Sequence, residues 1–415
     1  MLDTKLIREN PDKIKKACKD KQVKVDIDRI LELDEKRREL LQEMETLKAE
    51  QNKISQKGAS NEEQRNKAKE IKEKIRGVEP EFDKVKDEFD ELMHKVPNPS
   101  LDDVPVGKDE NDNKVLRIEG KRPKFDYEPK DYLEIAEKLE IIDVKRAAKV
   151  SGTRFGYLKG EAVLLEFALV QMALDVLIKD GFMPVIPPVM LNHKAMSGMG
   201  YLDRGVDEVY YLEKDKLYLT GTSEQSIGVM HMGEILDKKE LPKRYVGFST
   251  CFRREAGAYG KDTKGILRVH QFDKMEMFSF CDSKKSQDEH EFFLSLQEKL
   301  MKLLEISYQV VNICTGDLGD PAARKWDIET FLPSEKKYRE THSTSNCTDY
   351  QARRLNIRYR EKGNDKLEFV HTINGTAFAM GRMLISIIEN YQQKDGSIKV
   401  PEALQKYMNG LKKIG

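Results

Sequence analysis

The chain has 415 residues, 35% of them charged and 39% hydrophobic, with 73 basic and 73 acidic side chains that leave no formal net charge. That length is too great for one ordinary core and implies two or more domains, while a charged fraction above the usual value of about 25% implies long solvated helices beside a normal globular part. Zero net charge excludes a polyanion affinity built on the overall field, so any nucleic-acid contact must come from local basic patches.

Five cysteines, Cys18, Cys251, Cys281, Cys314 and Cys347, are odd in number and widely spaced, without CxxC or Cys/His patterns. A disulfide framework or zinc knuckle is not expected, and a reducing, cytoplasmic setting fits. The Met1-Leu2-Asp3 start meets an acid at once, so no signal peptide is read. The longest apolar stretch, Ala162 to Val170, is interrupted by Glu166 and is too short to span a bilayer.

In chain order, the first strong pattern runs from Asp28 to about Val96. Leu33, Leu40, Leu47 and Ile54 recur every seven residues, and Ile71, Ile75, Val78, Phe82, Val85, Phe89, Leu92 and Val96 alternate spacings of four and three. Both are coiled-coil seams. Between them, Lys57-Gly58-Ala59-Ser60-Asn61 contains a turn, and Ser60 with Glu63 forms a capping box for the second helix. So short a turn forces the helices antiparallel, and a coiled-coil hairpin is expected over residues 28–96. Arg65, Lys67, Lys69, Lys72, Lys74 and Arg76 on its exposed faces suit a phosphate backbone. Acidic neighbours are nearly as numerous, so a plain dimerisation or spacer arm has the same charge pattern.

Pro97-Asn98-Pro99-Ser100 closes this first region, residues 1–100, and the Asp/Asn/Gly/Pro-rich run over 101–129 reads as a linker. Beyond it the texture changes. A helix from Ala162 to Lys179 runs into Gly181-Phe182-Met183-Pro184-Val185-Ile186-Pro187-Pro188, and Lys216 to Leu219 and Arg244 to Phe248 alternate as strands do. Residues 130–415 are expected to form one α+β domain on a mostly antiparallel sheet.

The chemistry is concentrated at Phe252-Arg253-Arg254-Glu255 and Arg268-Val269-His270-Gln271-Phe272, with the glycine-containing stretch Gly260 to Gly265 between them. Strands flanking such a loop would aim two guanidiniums at phosphates and lay Phe272 against a purine, as an adenylating site requires. Arg suits the task because its planar head binds phosphate oxygens at two points and keeps its charge. Taken singly, Arg253 or Arg382 reads as a salt bridge and Phe272 as core; the set carries the signal.

With these residues on the page the chain resembles the seryl-tRNA synthetase family, of the class II aminoacyl-tRNA synthetases. Gly181 to Pro188 looks like motif 1, Phe252 to Phe272 like motif 2, and Gly375 to Arg382 with Met383-Leu384-Ile385 like motif 3, in order behind the hairpin and beside Thr222-Ser223-Glu224-Gln225 and Gln351-Ala352-Arg353-Arg354. The resemblance implies a serine–tRNA ligase. Serine carboxylate attacks the α-phosphate of ATP, and the adenylate then yields serine to the tRNA 3′ end, selenocysteine tRNA being a further acceptor that family members commonly charge. It also implies a homodimer through motif 1, and a hairpin laid on the long variable arm of tRNA(Ser).

Residue by residue, the resemblance assigns Arg253 and Arg382 as catalytic. The ATP site would comprise Arg253, Arg254, Glu255, Arg268, Val269, Phe272, Glu340, Thr341, His342, Ser343 and Arg382. The L-serine site would comprise Thr222, Ser223, Glu224, Arg253, Glu276, Asn374 and Thr376, and Glu340 with Ser343 would hold Mg²⁺. Thr222-Ser223-Glu224-Gln225 and Thr376 look more like archaeal and eukaryotic members than bacterial ones. His342, between the proposed metal ligands, is read as solvent-facing and able to disturb the metal by gaining charge at low pH. An alternative is an enzyme of the same fold that loads a carrier protein; such relatives generally lack the hairpin.

Overall fold

The computed structural model describes residues 1–56, 62–203, 205–256, 264–361, 363 and 366–415. The expected turn and Ser60 capping box, and the stretch Gly260 to Thr263 within the expected loop, lie outside the described residues. The chain divides into two compact units, Met1–Pro99 and Ser100–Gly415.

The first unit holds α1 (Thr4–Glu9), α2 (Pro11–Asp20), α3 (Ile27–Gln56) and α4 (Glu62–Lys95). Arg29 pairs with Glu88 and Lys36 with Glu81, so a step of seven residues forward on α3 meets seven backward on α4. That relation is the signature of antiparallel helices. Leu33, Leu40 and Met44 on α3 and Ile71, Val85, Phe89 and Met93 on α4 are buried along the seam, while the predicted charged faces stay exposed. Asp34 is wholly buried within this apolar stripe. Burial alone would raise its carboxyl, but hydrogen bonds from Arg37 (2.8 Å) and Arg8 (2.7 Å) outweigh that and hold it below the usual carboxylate range.

The second unit is built on an eight-stranded sheet. In chain order its strands are β1 (Lys114–Glu119), β2 (Met183–Val185), β3 (Lys243–Phe252), β4 (Gln271–Cys281), β5 (Tyr308–Asn312), β6 (Arg324–Leu332), β7 (Lys337–Asn346) and β8 (His371–Ala379). They lie in the order β1-β5-β6-β7-β8-β4-β3-β2, antiparallel throughout except where β2 runs parallel to β3. Helices α5 (Glu161–Leu177), α6 (Ser223–Gly228), α7 (Ser286–Leu303) and α8 (Met380–Asn390) pack against it. The core between sheet and helices contains Met275, Met277, Phe293, Ile373, Phe378 and Leu384, all at 0% exposure. This is the α+β architecture expected from the alternating segments.

Residues 101–129, expected as a linker, belong to this unit. Leu101 N–H donates to Ala323 at 2.9 Å, Asp103 pairs with Arg324 at 2.8 Å, and β1 forms the sheet edge against β5. The polar composition misled because an exposed edge strand needs little apolar surface.

Phe89, 4% exposed on the seam, carries the Arg37 guanidinium 4.9 Å from its ring centre. Phe89→Ala is expected to cost about 3–5 kcal/mol, read as a lower urea midpoint for loss of helical circular dichroism.

Candidate active site

Strands β3 and β4 pair with Gln271 opposite Phe252, and the match continues outward as Arg253 N–H donates to His270 O at 3.0 Å. This pins the two ends of the connecting loop. Arg253 Nε donates to Gly221 O at 3.1 Å, and its guanidinium carbon sits 5.2 Å from the centre of the Phe272 ring. Glu255 adopts a left-handed backbone, φ +52°, and accepts from Arg268 at 3.2 Å. A non-glycine residue held there stores strain, a common feature of ligand sites. Arg382, in the first turn of α8, donates to Glu340 O at 2.9 Å and pairs with its carboxylate at 3.1 Å. Gly381 before it lets α8 approach closely, since a Cβ would meet Ile266 O at 3.2 Å. Arg253, Glu255, Arg268, Val269, Phe272 and Arg382 line one cavity of about 300 Å³.

Strand irregularities decide which side chains face this cavity. Glu340 and Ser343 are three apart and would face opposite ways in a regular strand. On β7, however, Ser343 opposes Asp327 and His342 opposes Ile328, whereas Glu340 opposes Glu329. Thr341 is therefore a bulge residue, and the shift returns Glu340 to the face of Ser343. Thr341 lines the cavity and turns its hydroxyl to Ile328 O. Partial loss of water in the cleft would raise the Glu340 carboxyl, whose side chain is 44% exposed, but Arg382 and Lys325 beside it hold it well below the usual carboxylate range. Mg²⁺ usually takes one or two protein oxygens and completes its shell with phosphates and waters. One ionised carboxylate and one hydroxyl on a shared face fit that habit. Among the described residues no group of three or more His, Cys, Asp or Glu is placed to hold a metal by itself.

A second cavity, about 690 Å³, shares Arg253, Lys274 and Arg382 with the first and extends to Thr222, Glu224, Glu276, Cys347 and Asn374. Thr222 caps α6 by accepting from Glu224 N–H. Gly247 lets α6 lie on β3, because a Cβ there would come within 2.6 Å of Ile227. Glu224, 6% exposed, accepts from Tyr201 (2.9 Å), Gln351 (3.1 Å) and Asn374 (3.1 Å). Glu276, 1% exposed, meets Lys274 Nζ at 2.5 Å and accepts from the Thr376 hydroxyl at 3.4 Å. A second bulge, at Ala377 of β8, puts Thr376 opposite Glu276. Burial pushes both carboxyls up, Glu276 to about 7 even with Lys274 opposing. The arrangement can bind a small cation with hydrogen-bonding groups, next to a cleft shaped for phosphates and a flat ring.

Three predicted residues stand elsewhere. Ser223 is wholly buried and its hydroxyl bonds Gly247 O. Arg254 lies over the Tyr210 ring, its guanidinium carbon 5.9 Å from the centre, and lines neither cavity. His342 is not solvent-facing. It points to the opposite face of β7, 1% exposed, with its ring 5.8 Å from Phe378, and burial brings it down to about 3. It is neutral at ordinary pH and brings no charge to Glu340 or Ser343. Conversely, Lys274, Lys325 and Tyr201 line the site and were missed. Period two on β4, which aligns Phe272, Lys274 and Glu276, could have found Lys274; Tyr201 has no sequence signal.

Residues 1–100 match the profile of the seryl-tRNA synthetase N-terminal domain, and residues 209–391 match the tRNA synthetase class II core domain (G, H, P, S and T). The serine–tRNA ligase of Dictyoglomus turgidum is 46% identical over 417 residues, covering 98% of each chain. The crystal structure of seryl-tRNA synthetase from Pyrococcus horikoshii, complexed with ATP, superposes with a TM-score of 0.92 at 43% identity, over 100% of this chain and 99% of that one. The cytoplasmic serine–tRNA ligase of Naegleria fowleri, in complex with AMP, gives 0.88 at 36% identity, over 100% and 98%.

The folded chain keeps the His342 ring neutral while an unfolded one would take up a proton near pH 6.5, so acidification through that range weakens the fold. Imidazole NMR signals, with His342→Gln for assignment, are expected to show no titration of this ring between about pH 5 and 8; a midpoint near 6.5 would put it in water.

Proposed function

The chain belongs to the seryl-tRNA synthetase family, and from that premise we propose that it is a serine–tRNA ligase, activating L-serine with ATP and passing it to the 3′ end of tRNA(Ser). The observation that carries this reading is the junction at Arg253 of two cavities, one beside Phe272 and Arg382 and one floored by two buried carboxylates. In the first step a serine carboxylate oxygen bonds the α-phosphorus as the bond to the pyrophosphate oxygen breaks, and pyrophosphate leaves with the electron pair. In the second the 3′ hydroxyl oxygen of the tRNA bonds the acyl carbon as the bond from that carbon to the phosphate oxygen breaks. AMP leaves with the electron pair, and the hydroxyl proton is released. Neither step uses a protein nucleophile, so the side chains position the reactants and neutralise charge.

Arg253 reaches both cavities, which suits it to hold the α-phosphate and the serine carboxylate together. Phe272 offers its ring to adenine from one side and Arg382 its guanidinium from the other. Glu255, set by its left-handed backbone, accepts from the adenine amino group, and Arg268 assists on the phosphates. Glu340 and Ser343 would hold Mg²⁺, which when bound supplies positive charge to the phosphate oxygens. Glu224 and Glu276 receive the serine ammonium, with Thr222, Asn374 and Thr376 completing the polar surface. A pocket of this kind disfavours alanine or glycine, because buried polar groups would be left unpaired.

We assign residues 1–100 to tRNA, through the arm at about 28–96, and 130–415 to aminoacylation. The match of the N-terminal region to a domain of this family supports a tRNA acceptor over a carrier protein. Met183 and Ile186, 61% and 86% exposed in the motif 1 segment, form apolar surface suited to a second copy. Among the described residues no helix is long and apolar enough to cross a membrane; a cytoplasmic setting follows from the reaction proposed.

Arg253→Ala is expected to lower kcat/KM for serine-dependent ATP–pyrophosphate exchange by on the order of 10³ with circular dichroism unchanged; near-normal exchange would sink the assignment. Glutamate at Lys67, Lys69 and Lys72 together should raise KM for tRNA(Ser) at least about tenfold and leave exchange intact. Equal loss of both would remove the arm from tRNA recognition.

A further inference from the structure

Lys274 is the one proposed-site cation on β4, two residues from the Phe272 platform and two from Glu276. It is 7% exposed. Burying an ammonium so deeply is costly unless it is paired, and here it has two partners: Glu276 at 2.5 Å and the Thr222 hydroxyl at 3.3 Å. Both are groups assigned above to serine. The charges facing Glu276 are Lys274 from its own strand, Glu224 from α6 and Arg253 from the end of β3. Thr376 from β8 adds a neutral donor. Glu224 repels a charge on Glu276, and Arg253 is turned toward Gly221 O and the Phe272 ring. Lys274 is thus the cation in direct contact with Glu276. A carboxylate at this depth with no adjacent cation would keep its proton, and a neutral acid binds an ammonium poorly.

We propose that Lys274 is the positioning residue of the amino-acid pocket, an internal counterion that keeps Glu276 charged and aimed until the substrate ammonium takes its place. The inference rests on reading Glu224 and Glu276 as the ammonium pocket. Above about pH 7, serine on exchange inherits a carboxylate already ionised and already desolvated, so binding there brings no change in the charge buried at Glu276. The displaced ammonium stays on the strand between Phe272 and Glu276, on the side where the serine carboxylate meets the α-phosphate. Entry of the amino acid would thereby move a positive charge toward the reacting anions, which a pocket without Lys274 cannot do.

The test is serine KM in ATP–pyrophosphate exchange from about pH 6 to 8.5 for the full-length chain and for Lys274→Met, Lys274→Arg, Glu276→Gln and the Lys274→Met/Glu276→Gln double variant. The unaltered chain should reach a level KM above about pH 7. Lys274→Met should raise KM at pH 7 at least about tenfold, with KM then falling up to about tenfold per pH unit as Glu276 loses its proton unaided. Lys274→Arg should restore most of the affinity and the original profile. The double variant should bind serine no worse than Glu276→Gln, because Lys274 acts through Glu276. A pH-independent rise in KM, a fall in kcat alone, or a further large loss in the double variant would overturn the proposal. Should Lys274→Met fail to fold, the double variant, which buries no unpaired charge, decides alone against Glu276→Gln. Serine KM unchanged in Glu276→Gln would instead overturn the ammonium-pocket reading itself, a result separate from any effect at Lys274.

Discussion

Two carboxylates, Glu224 and Glu276, lie side by side at 6% and 1% exposure, and much of the second unit is arranged to tolerate them. An ionised carboxylate withdrawn from water needs hydrogen-bond donors and opposite charge, or it takes up a proton. The donors here come from separate parts of the chain: Tyr201, Gln351 and Asn374 on Glu224, Lys274 and Thr376 on Glu276. Each fixes a segment. Gln351 and Asn374 hold the region after β7 and strand β8 against α6, and Tyr201 draws in the segment ahead of α6. The pocket is therefore a point of convergence for the fold, and its polarity is maintained by side chains brought in from distant segments.

The same economy of position appears in the two bulges. An antiparallel sheet alternates its side chains strictly, and a functional set taken from neighbouring strands cannot all face one way unless the register is adjusted. Thr341 makes that adjustment on β7, Ala377 on β8. Both adjustments are held from the helical side. Gln297 of α7 donates to Ser343 O and Thr376 O at 2.8 Å each, so one buried amide ties the strand carrying Glu340 and Ser343 to the strand carrying Thr376. His290 on the same helix reaches Thr344 O at 3.0 Å.

The first unit rests on a different balance. Its arm buries a narrow apolar seam and leaves charged faces in water, so its stability comes from repeated apolar contacts along two helices. Asp34 is the exception, a buried carboxylate tied by Arg8, Arg37 and Arg38, which binds α1 to α3. An arm of this kind can present charge over a long surface without the convergent packing that a catalytic pocket needs.

The sequence by itself determined the arm, because a heptad seam is a local property: Ile71, Val85 and Phe89 are buried wherever a partner helix lies. Through the resemblance it also marked Arg253, Phe272, Glu340 and Arg382 as candidate site residues, and the fold brings all four to one cavity. What the tertiary structure alone decided was facing and depth. Glu276 gains its depth from α6 and β8 packed over it, and His342 reads as solvent-facing until the fold sets its ring against Phe378. Residues 101–129 read as a linker until β5 offers β1 an edge. Tyr201 and Lys274 meet the buried carboxylates through packing that no local pattern records. Burial and register arise from contacts between segments far apart in sequence, and periodicity within a segment carries no record of them.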